Sequence, residues 1–242
     1  MNRSGQADHG FVLHRRRFRE SSLIVEFLTA ERGRIAAVAR AALRPRARVA
    51  ANLQAGTCLV LGFAGRGELL TLTSAESNAP APRIEGDALY CLFYVNEVVM
   101  RLTAAHDPNP ALYAAYATVV NALGAGQSSE LALRLFEKAM LDALGLGLEL
   151  RYAADSGLAL DPTADYHYVP ERGAVRRGAE SRGIPVTGAT LLALAAGTLH
   201  DAGALRESKR LMRAIIDHHL DGRPLAARDL FVTRGAGRGG KN

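Results

Sequence analysis

Two cysteines, Cys58 and Cys91, are all that the 242 residues contain, and each lies inside an apolar segment. They can build neither a disulfide framework nor a cysteine-rich zinc site, so both are read as core residues. Long apolar runs are missing too: no uninterrupted stretch is long enough to cross a bilayer, and the opening MNRSGQADHGFVLHRRR places no apolar h-region before its arginines. The expectation is a cytoplasmic protein without a membrane partner. A third scarcity is local. The stretch ARAALRPRARV, 39–49, carries four arginines and no carboxylate. Clustered arginine without acidic neighbours repels itself, which points to an anionic partner outside the chain or to a plain solvated surface.

The charge is distributed unevenly. Residues 1–77 hold 12 arginines against 6 acids, an excess of 12 − 6 = +6, whereas the remainder balances at 18 − 18 = 0. A chain of this length can bury one large core or two smaller ones, and the asymmetry favours two modules.

The first module reads as strands. FVLH, SLIVEFL, RIAAVAR, TCLVLGF and ELLTLTS are short β-rich or alternating runs, and the separators AERG and AGRG supply glycine where hairpins need it. Five such strands suggest a small closed barrel of the OB type, which holds oligonucleotides on one face and in its loops. The arginine-rich stretch falls in the long connection after the third strand. Aromatics are scarce there: Phe11, Phe18, Phe27 and Phe63 are the barrel's complement and most alternate inward. Binding through the phosphate backbone, with little sequence preference, is therefore expected.

From about Ile84 the period becomes helical, with Leu89, Leu92, Phe93, Asn96 and Val99, then Leu112, Tyr116, Val119, Val120 and Leu123. Asn109 before Pro110 is a cap and first-turn pair, a third helix runs from about Ser129 to Leu144, Thr187 caps another, and LRESKRLMRAIIDHHL forms a further one. The segment at about 148–186 reads as loops with a hairpin. The fold class is α+β, divided as 1–78 barrel, 79–234 helical domain and 235–242 flexible basic tail.

Several stretches resemble catalytic motifs without meeting their requirements. GAGRGGKN near the C-terminus has most of a phosphate-loop spacing but no following helix, and the Ser/Thr is replaced by Asn242. Asp217, His218 and His219 are adjacent on a helix and point in different directions. Asp155, Asp161, Asp165 and His167 match no ligand spacing, and aspartates beside Gly and Pro form turns. No catalytic residue, metal ligand or cofactor site is assigned. On the last helix Arg206, Arg210 and Arg213 share one face with Lys209 beside them, either a solvated face or a second nucleic-acid contact. Arg134 lies among Leu131, Leu135, Phe136 and Met140, where its stem can border an apolar pocket for a partner peptide carrying a carboxylate. The alternative is an internal ion pair with Glu137 or Glu130.

FVLHRRRFRESSLIVEFLTAERGRIAAVARAALRPRAR, GRGELLTLTSAE, LYCLFYVNEVVMRL, LRLFEKAMLDALGLGLEL and KRLMRAIIDHHLDGRPLAARDLF resemble, in order, segments of the bacterial RecO recombination mediator family. The resemblance spans about residues 10 to 231. It implies an OB barrel plus a helical domain, and a non-enzymatic DNA repair protein. Such a protein binds single- and double-stranded DNA, anneals strands, associates with RecR and helps RecA displace the single-strand-binding protein (SSB), whose acidic, hydrophobic C-terminal tail it recognises. On this chain the expected DNA contacts are Arg15, Arg16, Arg17, Arg32, Arg34, Arg40, Arg44, Arg46, Arg48, Arg66, Arg206, Lys209, Arg210 and Arg213. Arg134, Leu131 and Leu135 are expected to meet the tail.

Two departures stand out. Relatives often read Lys-Gly-Ala-Arg after the third strand, where this chain has Arg40, Ala41, Ala42 and Leu43. Many also carry four zinc-binding cysteines after the third long helix, where YAADSG presents Ala153 and Ser156. That finger is expected to be metal-free. The rival readings are a binding module for structured RNA and a metal phosphoesterase built on the aspartates and His218.

Overall fold

The computed structural model describes residues 8–44, 49–77, 80–178 and 182–230. Arg46, Arg48 and the basic tail fall outside them. The packing forms two compact units, one reaching Gly126 and resuming at Leu225, the other spanning Gln127–Pro224.

In the first unit β1 (Asp8–Phe18), β2 (Ser22–Thr29), β3 (Gly33–Ala39), β4 (Cys58–Ala64) and β5 (Leu69–Glu76) close a barrel in the order β1-β2-β3-β5-β4, with a short helix α1 (Val49–Asn52) before β4. Closure comes from β1 pairing with both β2 and β4, and from the parallel pairing of β3 with β5. Alternation does what the sequence pattern requires: Ile35, Ala37 and Ala39 of β3 turn inward to meet Val25 and Phe27, Leu59 and Leu61, and Leu70 and Leu72. Each larger apolar side chain buried there contributes roughly 1.5–3 kcal/mol. Ala42, in the middle of the arginine-rich stretch, joins this core at 2% exposure. The β2–β3 turn needs its glycine twice over. Gly33 has φ +67°, and a Cβ there would lie 2.1 Å from the Asp107 carbonyl oxygen.

Helices α2 (Asp87–Leu102) and α3 (Pro110–Gly124) pack with the barrel. Buried Asn96 of α2 donates Nδ2 to the Leu13 carbonyl at 2.7 Å and accepts from the Tyr116 hydroxyl at 2.6 Å, while the Phe11 ring packs at a tilt against Tyr113 and Tyr116. The chain returns to α2 at its far end, where the Glu97 carboxylate accepts the Ala226 and Ala227 N–H groups at 3.0 and 2.8 Å and Arg228 lies over the Tyr94 ring.

The second unit contains α4 (Ser129–Ala143), α5 (Gly188–Ala196), α6 (Ala202–His219) and an antiparallel sheet of order β7-β6-β8, made of β6 (Asp165–Val169), β7 (Gly173–Arg176) and β8 (Ile184–Thr187). Asn109 caps α3 and Thr187 caps α5, as the sequence indicates, and the side chains of Ser128 and Asp201 cap α4 and α6. Tyr166, Tyr168, Val186, Leu191, Leu211 and Ile215 are among its core residues. At 153–158 a knuckle stands on backbone hydrogen bonds, Ala153 N to Leu158 O and Gly157 N to Ala153 O, both 2.8 Å. The aspartates of this region serve backbone structure: Asp161 accepts the Thr163 N–H and hydroxyl within a turn, and Asp155 accepts the Arg176 N–H of β7. No helix among the described residues is long and apolar enough to cross a membrane.

Candidate nucleic-acid interface

The barrel separates its arginines by register. Leu23 pairs with both Arg17 and Ala39, so the β1–β2 hairpin and the exit from β3 share one end of the barrel. The backbone N–H of Leu43 to the Ser21 carbonyl, 2.9 Å, ties the two together. At this end Arg16, Arg17, Arg40 and Arg44 are exposed, and no acidic side chain among the described residues pairs with them. Arg15 is exposed as well, with Nη1 donating to the Ala50 carbonyl at 2.9 Å. Arg19, absent from the sequence-based set, belongs here: it occupies the hairpin tip with φ +54° and its guanidinium lies over the Phe18 ring.

At the opposite end the arginines are largely committed. Arg34 donates Nη1 to Glu26 at 3.1 Å, Nη2 to the Thr103 carbonyl at 3.1 Å and Nε to the Thr103 hydroxyl at 3.3 Å. All three nitrogens are used inside the unit, so it clamps β3 to the end of α2. Arg32 faces buried Asp8 at 3.5 Å and lies over Phe63. Burial pushes the Asp8 carboxyl up, against the opposing pull of the Glu31 N–H and Arg32. Arg66, between the glycines of the β4–β5 turn, remains exposed.

In the second unit Arg206, Lys209, Arg210 and Arg213 are exposed along α6. Lys209 pairs with Glu130 at 2.8 Å, which holds the Glu130 carboxyl below its usual range, and Arg210 donates to the Pro185 carbonyl. Arg134 adopts the internal ion pair: Nη2 meets Glu137 Oε1 at 2.7 Å, and the residue is 5% exposed. Leu135 faces outward and Leu131 is half-buried on the same helix. His218 meets Glu171 at 3.0 Å and its ring lies edge-on to that of His219, centroids 5.3 Å apart. Among the described residues no group of three or more His, Cys, Asp or Glu could hold a metal ion.

A five-stranded barrel with one unpaired basic end, followed by helices, is the arrangement that the sequence comparisons meet. The family profile described as "Recombination protein O N terminal" matches residues 3–80, and "Recombination protein O C terminal" matches 83–229. The chain belongs to the recombination protein O, RecO, family. Its relatives include the DNA repair protein RecO of Methylococcus capsulatus, 45% identical with 93% of this chain and 92% of the relative covered. Those of Halorhodospira halophila and Nitrosococcus oceani are 43% and 42% identical, covering 93% and 91% of this chain and 96% and 90% of theirs. Against the RecO profiles, the boundary between the two matches lies near residue 80, whereas packing keeps α2 and α3 with the barrel.

Proposed function

We propose that this RecO chain is a non-enzymatic DNA repair and recombination mediator of the cytoplasm, associated with the nucleoid. It binds single- and double-stranded DNA, promotes annealing of complementary strands and, with RecR, assists RecA loading onto strands coated by SSB. The observation that carries the reading is the end of the barrel where Arg16, Arg17, Arg19, Arg40 and Arg44 project without acidic partners. Positive charge so placed neutralises phosphates on two strands at once and lowers their repulsion, and counterion release supplies affinity with no sequence preference. Arg46 and Arg48 continue the same connection and are assigned to the same role. The face of α6 bearing Arg206, Lys209, Arg210 and Arg213 is a secondary DNA contact.

The acidic, hydrophobic tail of SSB is assigned to the α4 surface, with Leu131 and Leu135 receiving its apolar residue. The Arg134–Glu137 pair sets the local field beneath them. The test is annealing of complementary strands coated with the cognate SSB. Acceleration by this protein, independent of divalent cations, supports the reading. No acceleration refutes it, tighter binding to RNA than to DNA of equal length favours the RNA module, and divalent-dependent turnover favours the phosphoesterase.

A further inference from the structure

Strand β1 stays paired with β2 to Phe18 but parts from β4 part-way along its length. It pairs with β4 only from Asp8 to Phe11, and its register against β2 slips between Val12 and His14. Beyond that irregularity nothing of β4 follows it, and the gap is a cleft of about 360 Å³. One wall is polar, with His14 and Arg15 of β1 and Gln54 and Thr57 of the segment before β4; the other is apolar, with Pro82, Ile84, Leu89, Leu92 and Phe93. Phe93 is 37% exposed, whereas Leu92 and Val95 of the same helix are fully buried.

The cleft opens beside the arginine-bearing half of β1. Arg15 lines it, and Arg16 and Arg17 follow on the same strand, exposed and unpaired with acids. Apolar side chains sharing a cleft with amide and imidazole groups, with cations next to it, match a nucleobase attached to a phosphate backbone. An apolar ring face meets Phe93, polar edges meet Gln54 and His14, which are exposed, and the flanking phosphates meet the arginines. Base–aromatic stacking is tolerant of sequence because every base has a π-face. The barrel's own phenylalanines are largely taken up: Phe11 and Phe27 are buried, Phe63 packs on Phe27, and the half-buried Phe18 ring lies under the Arg19 guanidinium.

We propose that the cleft between β1 and α2 holds an unpaired base of a single DNA strand, with Phe93 as its stacking platform and the arginines from Arg15 to Arg17 on its phosphates. The inference rests on the DNA-binding reading above and deepens it: the basic end alone would not tell a single strand from a duplex, whereas a base pocket does. A paired base is not available to the cleft, so Phe93 contributes to single strands only.

The experiment compares an oligo-dT probe, a fully abasic oligonucleotide of the same length and charge, and a duplex. Each is titrated against the wild-type chain, Phe93→Leu and Phe93→Trp at one salt concentration. The wild type is expected to favour dT over the abasic strand about five- to tenfold, the low end of what one stacked base contributes. Phe93→Leu loses that preference while keeping abasic and duplex affinity, and Phe93→Trp restores it. Because leucine keeps the apolar volume, loss of folding is checked by circular dichroism, and the tryptophan variant supplies an independent readout through quenching of its fluorescence by dT. Equal binding of dT and abasic strands by the wild type, or an unaltered preference in Phe93→Leu, overturns the inference while leaving DNA binding intact. Binding to none of the three overturns the DNA reading as well. Phe93-dependent binding of an acidic, apolar-ended peptide in place of dT assigns the cleft to a protein partner and overturns it too.

Discussion

Replacing Arg16, Arg17, Arg40 and Arg44 together by alanine isolates the electrostatic contribution of the basic end. If each occupies one phosphate, the log–log dependence of affinity on salt flattens by about 3.6 on duplex DNA, at about 0.9 per contact, and by about 2.8 on single strands, at about 0.7 per contact. Between about 50 and 200 mM salt the logarithm changes by about 0.6, so the wild type loses roughly 150-fold more duplex affinity than the variant across that range. The measurement is fluorescence anisotropy with one duplex and one single strand at five or six salt concentrations. Thermal stability is expected to hold or rise slightly, because the four side chains are exposed and removing like charges relieves repulsion. Arg34→Ala is the contrasting control. Its guanidinium is spent on Glu26 and Thr103, so it should cost about 1–3 kcal/mol of stability and leave the slope alone. An unchanged slope in the quadruple variant, or a flattened one in Arg34→Ala, would refute the assignment of charge by register.

Arg134→Met strands the buried Glu137 carboxylate without its arginine, and a loss of about 3–5 kcal/mol is expected in urea unfolding; a variant that stays stable but loses affinity for an SSB-tail peptide would show that the arginine serves the partner instead. Ala41 has φ +55°, a left-handed conformation that glycine adopts more readily than alanine, so Ala41→Gly should relieve strain and stabilise by about 0.5–1 kcal/mol, read as a raised Tm; a lowered Tm would contradict it. Glu207 feels burial, which raises its carboxyl pKa, but hydrogen bonds from Thr190 and Thr187 outweigh this and hold it below the usual range. A depressed folded-state pKa contributes stability that is present above the unfolded value and lost as pH falls through the folded one. Glu207→Gln should therefore be less stable than the wild type at pH 7, with the gap closing in acid; a gap that widens on acidification would reverse the sign.

The barrel was legible because alternation is a short-range signal: RIAAVAR reads as β3 from its own residues, and inward Ile35 and Ala37 need no knowledge of the rest. Two helix starts were legible for the same reason, since Asn109 with Pro110, and Thr187, act on groups two or three residues away. Strand β8 was not, because IPVT is four residues long, contains Pro185 and is a strand only by pairing with β6. Arginines that look alike in the sequence differ in the fold. Arg34 looks like Arg40 in the sequence, and only the fold brings Thr103, 69 residues later, onto its guanidinium. Conversely Arg19 and Phe93 were passed over, the first because a hairpin tip is defined by pairing, the second because helical periodicity assigns a residue to a face without saying where that face ends.

The return of the chain to α2 has a consequence for synthesis and for cleavage. Because residues from Leu225 rejoin the unit that begins at the N-terminus, the segment Gln127–Pro224 is an insertion with two covalent crossings. A nascent chain can close the barrel early, yet the N–H groups of Ala226 and Ala227 that Glu97 awaits emerge only after the whole inserted unit has been made. A truncation ending at Pro224 would thus damage the N-terminal unit, not the C-terminal one. A single nick after Gly126 would leave both units joined through the second crossing.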